Sequence, residues 1–428
     1  MMKTLIKNAQ LFYQGQLTPA DLLVENGKFT EIAEEISTDD VNVIDAKQQL
    51  VAPGLIDVHV HFREPGQVHK ETIKTGTLAS AHGGFTTVGA MPNVIPVPDD
   101  PEKFQKQLDL NKKNSLINTL QYAPVTKDET SDELVDIEAL DKLGAFAFSN
   151  DGHGIMNAQS MFEAMERIAA INSHLAAHVE DKNLFNHGVI NFGSASQRLG
   201  LPGIQQVAET SQLARDLILA KETGVHYHVC HISTKDSVDL IRMAKDAGIN
   251  VTCEVSPHHL LLNDGNILKD DANFKMNPPL RSQKDQMALL DALEDGTIDM
   301  IATDHAPHAK EEKNQGFEKS AFGITGIETS FPLMYTRLVK TGMISLERLI
   351  DLMAVKPAKL FGLKDVGTIG LNQQADFTMI DLNQEYTINE ADFLSKGTNS
   401  PFIGQSVFGK VMGTYVNGKA VYTSNHEG

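Results

Sequence analysis

Val51-Ala-Pro-Gly-Leu-Ile-Asp-Val-His-Val-His-Phe-Arg-Glu-Pro-Gly66 sets the reading of the whole chain. Leu55 to Phe62 alternates in the manner of a strand, with Pro53-Gly54 and Pro65-Gly66 punctuating its ends. A strand sends every second side chain to one face, so His59 and His61 are expected to point the same way. Two imidazoles so placed can hold one metal ion. Taken alone, the pair reads more readily as two ordinary histidines, one satisfied in the core and one solvated. The rest of the chain has to decide.

Outward from this strand the sequence alternates. Apolar, β-branched runs recur near residues 55–62, 85–91, 116–125, 145–150, 174–179, 226–232, 249–255 and 298–303. Helix-like stretches separate them, at 71–82, 101–113, 132–143, 160–171, 205–222, 234–247, 284–293 and 327–338. Eight β/α units over about 280 residues predict a (β/α)8 TIM-type barrel of α/β class. A doubly wound open sheet would more often carry a Gly-rich dinucleotide loop, and none has that spacing. The two ends differ from the middle, with short strands and turns but no helix-length amphipathic pattern. The expected organisation is therefore a barrel over 53–365 and a small composite β-sandwich from 1–52 and 366–428. His305 to Gly326 is polar, Gly-containing and unpatterned, and reads as a lid after the eighth strand.

Bulk properties narrow the class. The 428 residues suit one large domain and a smaller one, and 41% hydrophobic against 22% charged residues can bury a large core. Lys+Arg 37 against Asp+Glu 56 gives −19, which argues against nucleic acid or an anionic membrane as partner. An anionic substrate would need a site made locally positive by metal ions or a few placed cations. The two cysteines, Cys230 and Cys253, lie in apolar runs and read as buried free thiols of a reducing compartment. No apolar leader or membrane span is evident, so a cytoplasmic globular protein is expected.

In a barrel the C-terminal ends of the strands converge on one mouth. The first strand ends with His59, His61 and Arg63, the second with Asn93, the fourth with Asp151, the fifth with His178 and Glu180. The sixth ends with His231 and the eighth with Asp304, His305 and His308. Even four of these histidines with the two aspartates are too many ligands for a single ion with an open position. Two ions bridged by a carboxylate fit the count. His226 and His228 precede His231 on its strand and are read as non-ligands. His258, His259 and His305 are read as supporting or structural, and His153, His174 and His187 as structural or loop residues.

At this point the chain resembles the dihydroorotases of the amidohydrolase superfamily. Val51–Gly66 looks like that family's signature, and Ile301-Ala-Thr-Asp-His-Ala-Pro-His308 like its second one. Lys356-Pro-Ala-Lys and Gly370-Leu-Asn-Gln-Gln-Ala-Asp-Phe377 extend the likeness along the full length. The resemblance implies two Zn2+ per subunit and interconversion of N-carbamoyl-L-aspartate and (S)-dihydroorotate in pyrimidine synthesis. It implies His59, His61 and Asp304 on the first zinc, His178 and His231 on the second, and Asp151 between them. Much of the superfamily bridges its metals with a carbamylated lysine. No lysine lies in Ala145-Phe-Ala-Phe-Ser-Asn-Asp-Gly152, so Asp151 takes that place, as in the longer bacterial members.

Asp304 would also be the catalytic proton carrier. The substrate's carboxylate suits Arg63, which continues the period of His59 and His61, with His61, Asn93 and His308 completing the pocket. Asn277 and the backbone of Phe322-Gly323 would read the ring amides. The bland reading of Arg63 is a surface salt bridge with Glu64. Allantoinases and hydantoinases or dihydropyrimidinases act on related rings without this carboxylate, and Arg63 and Asp151 argue against them. An inactive scaffold relative would have lost metal ligands, whereas all six are present. The resemblance implies a homodimer and allows association with aspartate transcarbamoylase; the partner expected from the site itself is a small molecule.

Overall fold

The computed structural model describes residues 3–424. Both ends of the chain build one eight-stranded sheet. Lys3–Tyr13 pairs antiparallel with Gln16–Glu25, which pairs in turn with Lys28–Ala33. The other edge of Lys3–Tyr13 takes Asn42–Asp45 and Leu50–Pro53 in parallel. Leu50–Pro53 hands the sheet to the C-terminal segment, where Phe377–Thr387, Ser406–Val416 and Lys419–Thr423 follow antiparallel. The sheet folds back on itself. Lys28 bridges Gln374, and the Phe29 and Phe377 ring centroids are 6.1 Å apart although several strands separate them along the sheet. Ile6, Leu22, Phe29, Val51 and Phe377 fill the enclosed core. The two layers expected from the termini are thus made by one continuous sheet.

Between the ends the strands run parallel. Leu55–Val60, Phe85–Ala90 and Asn118–Gln121 form one run. Phe148–Ser149, His174–Ala177, His226–Val229, Val251–Val255 and Met300–Ile301 form another. Isolated parallel bridges join Ala123 to Phe148 and Val60 to His305, one at each seam between the runs. Leu55–Val60, Phe85–Ala90 and Val251–Val255 are buried along their length, as expected where helices cover a parallel sheet, whereas Asn118–Gln121 is only half-buried over its first three residues. The helices begin where the sequence supplies a cap. Thr72, Asp100, Asp136, Asn157, Thr234 and Ser282 each accept a first-turn N–H, and Pro101 follows Asp100 at a position where its missing donor costs nothing.

Some boundaries differ from the sequence reading. The ladders stop early, at Gln121, Ser149, Ala177, Val229 and Ile301, and beyond them only single bonds such as Cys230 N–H to Ala177 O and Ala302 N–H to Val255 O continue the pairing. The helix expected over 327–338 is Ser330–Met334, widened into an i→i+5 turn closed by Lys340 N–H on Tyr335 O at 2.9 Å. Residues 305–326, expected as a lid, are tied down. Lys313 Nζ donates to the carbonyls of Lys275, Ala321 and Gly323 at 2.9–3.0 Å, and Lys275 Nζ donates to those of Phe317 and Ser320. Cys230 and Cys253 are buried and unpaired. Among the described residues no helix is long and apolar enough to cross a membrane.

Candidate active site

Asp151 stands at the centre of the buried cluster. Its Oδ2 lies 3.3 Å from His59 Nε2 and 3.4 Å from His61 Nε2. Its Oδ1 lies 3.3 Å from His231 Nε2 and 3.8 Å from His178 Nδ1. One carboxylate therefore faces two pairs of imidazoles with different oxygens, and each pair with Asp151 makes a three-ligand group. Asp304 joins the first group, its Oδ1 3.0 Å from His61 Nε2 and 3.5 Å from His59 Nε2. His178 Nδ1 and His231 Nε2 converge to 3.1 Å. The structure brings together all six residues expected as ligands.

The outer nitrogens of the first pair show what the inner ones are for. His59 Nδ1 is 2.6 Å from Glu254 Oε1 and His61 Nδ1 is 2.9 Å from Asn93 Oδ1, and each must donate to that acceptor. In neutral rings this leaves both Nε2 lone pairs facing carboxylate oxygens, a repulsive arrangement unless a positive charge lies between. His59 Nε2 is also buried without a hydrogen-bond partner. Burial works against charge on His59, but Asp151 and Glu254 outweigh it and draw the ring towards its charged form. Burial and the Arg63 charge hold His61 towards neutrality despite the bond to Asp304. Burial likewise pushes the Asp304 carboxyl up, yet the His61 bond and the nearby imidazoles leave it at about 2. Four imidazoles and two ionised carboxylates of this geometry fit divalent cations on either side of Asp151.

Glu254 was not singled out by sequence reasoning. It lies in Val251-Thr-Cys-Glu-Val255, where an apolar run conceals one buried acid. Its Oε2 also meets His228 Nε2 at 3.0 Å, and its Oε1 accepts the His231 N–H at 3.3 Å. The carboxylate thus touches both sides of the cluster. The signal was available, since an acid inside a fully buried strand needs a partner. Asn93, expected in the substrate pocket, also orients His61.

Arg63 reaches the site by a different route from the one expected. The strand ends at Val60, and its pairing shifts register between Asp57 and Val60, so the pleat does not carry on to residue 63. Arg63 instead takes a left-handed conformation, φ 58°, as do His231 at 32° and Asp304 at 50°. Side chains other than glycine rarely sit there, and such strain concentrates at functional sites. Arg63 is buried, with Nε 3.4 Å from Pro307 O and Nη2 3.3 Å from His308 Nε2. Among the described residues it has no carboxylate ion-pair partner. Glu64 instead accepts from the Ile73 N–H and from Asn114. Burial lowers Arg63 to about 10.

The remaining candidates surround this guanidinium and the second imidazole pair. His308 Nε2 is 2.8 Å from Phe322 O, and burial and Arg63 hold the ring neutral, at about 2. Asn277 Nδ2 lies 3.5 Å from His178 Nε2 and donates to Glu180 Oε2 at 2.7 Å. The Gly323 N–H is already given to Lys275 O, and its carbonyl accepts from Lys313 and Asn399. His226 and His228 bind Thr252, and His259 binds Ser256 and Pro278 O.

Comparison with known proteins agrees with this geometry. A family model described as Dihydro-orotase-like matches residues 48–237. The chain is 54% identical over 422 residues to a dihydroorotase of Lactobacillus acidophilus, covering 98% of this chain and 99% of that one. It is 53% identical over 424 residues to a dihydroorotase of Ligilactobacillus salivarius, with the same coverage. Among solved structures, the L-hydantoinase (dihydropyrimidinase) of Arthrobacter aurescens superposes with a TM-score of 0.89 at 28% identity, covering 99% of this chain and 96% of that one. The dihydropyrimidinase of Brevibacillus agri, at 24% identity and a TM-score of 0.87 over 99% and 95%, is a likeness of fold.

Proposed function

The chain belongs to the dihydroorotase family, and we propose that it closes N-carbamoyl-L-aspartate to (S)-dihydroorotate with release of water, and reopens that ring, in pyrimidine biosynthesis. The observation that carries the reading is Arg63. A buried guanidinium with no carboxylate of its own, beside a split cluster of metal-type ligands, suits a cyclic amide that bears a carboxylate. We read the parallel strands as a closed (β/α)8 barrel over 53–365, supported by the bridges at both seams. The strand-rich unit would be 1–52 with 366–428, whose first two and last four residues lie outside the described ones. Convergence of strand ends on one mouth is the property of that architecture that gathers the site.

Two zinc ions would be held by His59, His61 and Asp304 on one side and His178 and His231 on the other, with Asp151 between; when bound they polarise the ring carbonyl and lower the pKa of the attacking water towards about 7. Arg63 pairs with the substrate carboxylate and fixes the ring's orientation, with His308 packed against it. Asp304, ionised and beside His61, takes the proton from the attacking water in ring opening and returns it to the leaving amide nitrogen. In ring closure it takes the proton from the carbamoyl nitrogen, and the same atom supplies the one that leaves with water. Asn93 and Glu254 hold the His61 and His59 rings so that Nε2 faces the cluster. Of the groups expected to read the ring amides, Asn277 would keep that role, whereas the Gly323 N–H and carbonyl and the Phe322 carbonyl are already bonded within the protein.

The test is elemental metal analysis coupled to ring-opening and ring-closing assays, on the protein and on Asp304→Asn. The expected result is turnover of both substrates, and a variant that keeps zinc but loses about a thousandfold in kcat. The likeness to an L-hydantoinase favours, as a second reading, a ring without the carboxylate. Preferential hydrolysis of hydantoin or dihydrouracil would overturn the first reading in its favour.

A further inference from the structure

We propose that Asn399, in the connection between the strands Phe377–Thr387 and Ser406–Val416, is a positioning residue for the substrate-carboxylate pocket, an inference that rests on the reading of Arg63 above. The connection leaves the strand-rich sheet and lies against the mouth of the parallel strands. Leu394 and Ser395 donate their N–H groups to the two oxygens of Glu328, at 2.8 and 3.1 Å, and Ser395 Oγ donates to Glu71. At Gly397 a Cβ would stand 2.7 Å from Pro307 Cβ, so only glycine lets the backbone pass this close to the loop that carries His308.

Asn399 is buried, and every polar atom of its side chain serves that loop. Oδ1 accepts the His308 N–H at 3.1 Å, and Nδ2 donates to Ala306 O at 3.2 Å and Gly323 O at 3.0 Å. Its own carbonyl accepts the Thr325 N–H at 3.0 Å. One side chain therefore clamps both arms of the 305–326 segment. That segment is what the Arg63 guanidinium leans on, through Pro307 O and His308 Nε2. Asn399 reaches neither the cluster nor the guanidinium directly, so its effect should pass through the placement of Pro307 and His308. The amide is specific to the task. It offers one acceptor and two donors in a plane, and an aspartate would turn an oxygen on two carbonyls.

The experiment is steady-state kinetics of dihydroorotate opening in Asn399→Ala, with metal content measured on the same sample. The expected result is a rise in KM of about tenfold, the scale of one to two lost hydrogen bonds, with kcat and zinc content held within about twofold. In combination with Arg63→Gln the KM should equal that of Arg63→Gln alone, because residues acting through one contact do not add. A KM unmoved in Asn399→Ala, or full multiplication of the two effects, overturns the proposal. If the alanine variant does not fold, Asn399→Asp is read in the same way; it keeps the acceptor for His308 and loses the two donors. A wild-type protein that does not turn over dihydroorotate overturns the functional reading and this proposal together. Wild-type turnover with an unmoved KM in the variants overturns this proposal alone.

Discussion

Replacing Arg63 with glutamine should separate substrate binding from everything else the site does. Burial lowers the guanidinium from 12.5 to about 10, so holding its charge in these surroundings costs on the order of 3 kcal/mol at about 1.4 kcal/mol per unit. A substrate carboxylate can recover that cost. A charge-assisted, bidentate pairing is worth about 1.5–3 kcal/mol by an independent scale. Both figures place the loss of affinity in Arg63→Gln near 100-fold. The variant should therefore show a KM for dihydroorotate raised about 100-fold, with zinc content unchanged. Because the charge was a burden to the free protein, the variant should also resist denaturant at least as well as the parent. Dihydrouracil, the same ring without the carboxylate, serves as the internal control, and any slow hydrolysis of it should be indifferent to the substitution. An unchanged KM for dihydroorotate, or an equal loss with both rings, would refute the assignment of Arg63 to the carboxylate.

Two further outcomes follow from the cluster. Glu254→Ala removes the acceptor for His59 Nδ1 and His228 Nε2, and should weaken zinc binding by about 10–100-fold, the usual scale for a carboxylate that orients a metal-bound histidine. Competition with a chromogenic chelator measures this without reference to turnover, and an unaltered zinc affinity would remove Glu254 from the metal argument. The acid side of the pH profile should belong to the imidazoles. Asp304 has a folded value of about 2, below its ordinary 3.8, so its contribution is complete above about 4 and is lost only as pH falls through about 2. Loss of activity on the acid side should instead reflect protons competing with metal for His59 and His178, where burial is outweighed by neighbouring carboxylates that raise them above their ordinary value. Added zinc should move that limb to lower pH, and a limb indifferent to zinc concentration would contradict the ligand set.

What the sequence reveals of this site depends on where each residue sits. His59, His61, Asp151, His178, His231 and Asp304 stand at or just beyond the ends of apolar runs, where a polar residue is conspicuous and chain order gives its place in the site. Glu254 supports that cluster from inside a run, through His59 Nδ1 and the His231 N–H, and its neighbours hide it. Asn399 is harder still, because nothing local in a strand-rich tail says that its connection will lie across a mouth built some hundred residues earlier. Arg63 was found for the wrong reason. Pleat counting places residue 63 in line with 59 and 61, but the strand ends at Val60 and a left-handed turn brings the side chain round. Alternation could not foresee the register shift after Asp57, since a pattern of apolar and polar residues does not record how a strand pairs with its neighbour. The lid expected over 305–326 shows a similar limit. Lys313 and Lys275 look like surface lysines in sequence, yet they donate to the segment's carbonyls at Ala321, Gly323, Phe317 and Ser320, and Lys313 also to Lys275 O.

The charge balance shows why metal and arginine have to act together. The chain carries −19 overall, and its site adds two buried carboxylates that face the same space. With neutral imidazoles, Asp151, Asp304, Glu254 and Arg63 sum to two negative charges, a poor reception for a substrate that is itself an anion. Distant surface charge is screened beyond about 8 Å at physiological salt, so the site's own groups decide the local sign. Divalent cations on either side of Asp151 would reverse it. On the proposed reading, the carboxylates that would repel an anionic substrate are also the groups that would hold the metal, so affinity for the anion should follow metal loading. Arg63 would then supply direction: as a fixed fork on one side of a site made positive by metal, it would decide which end of the substrate turns away from the cluster.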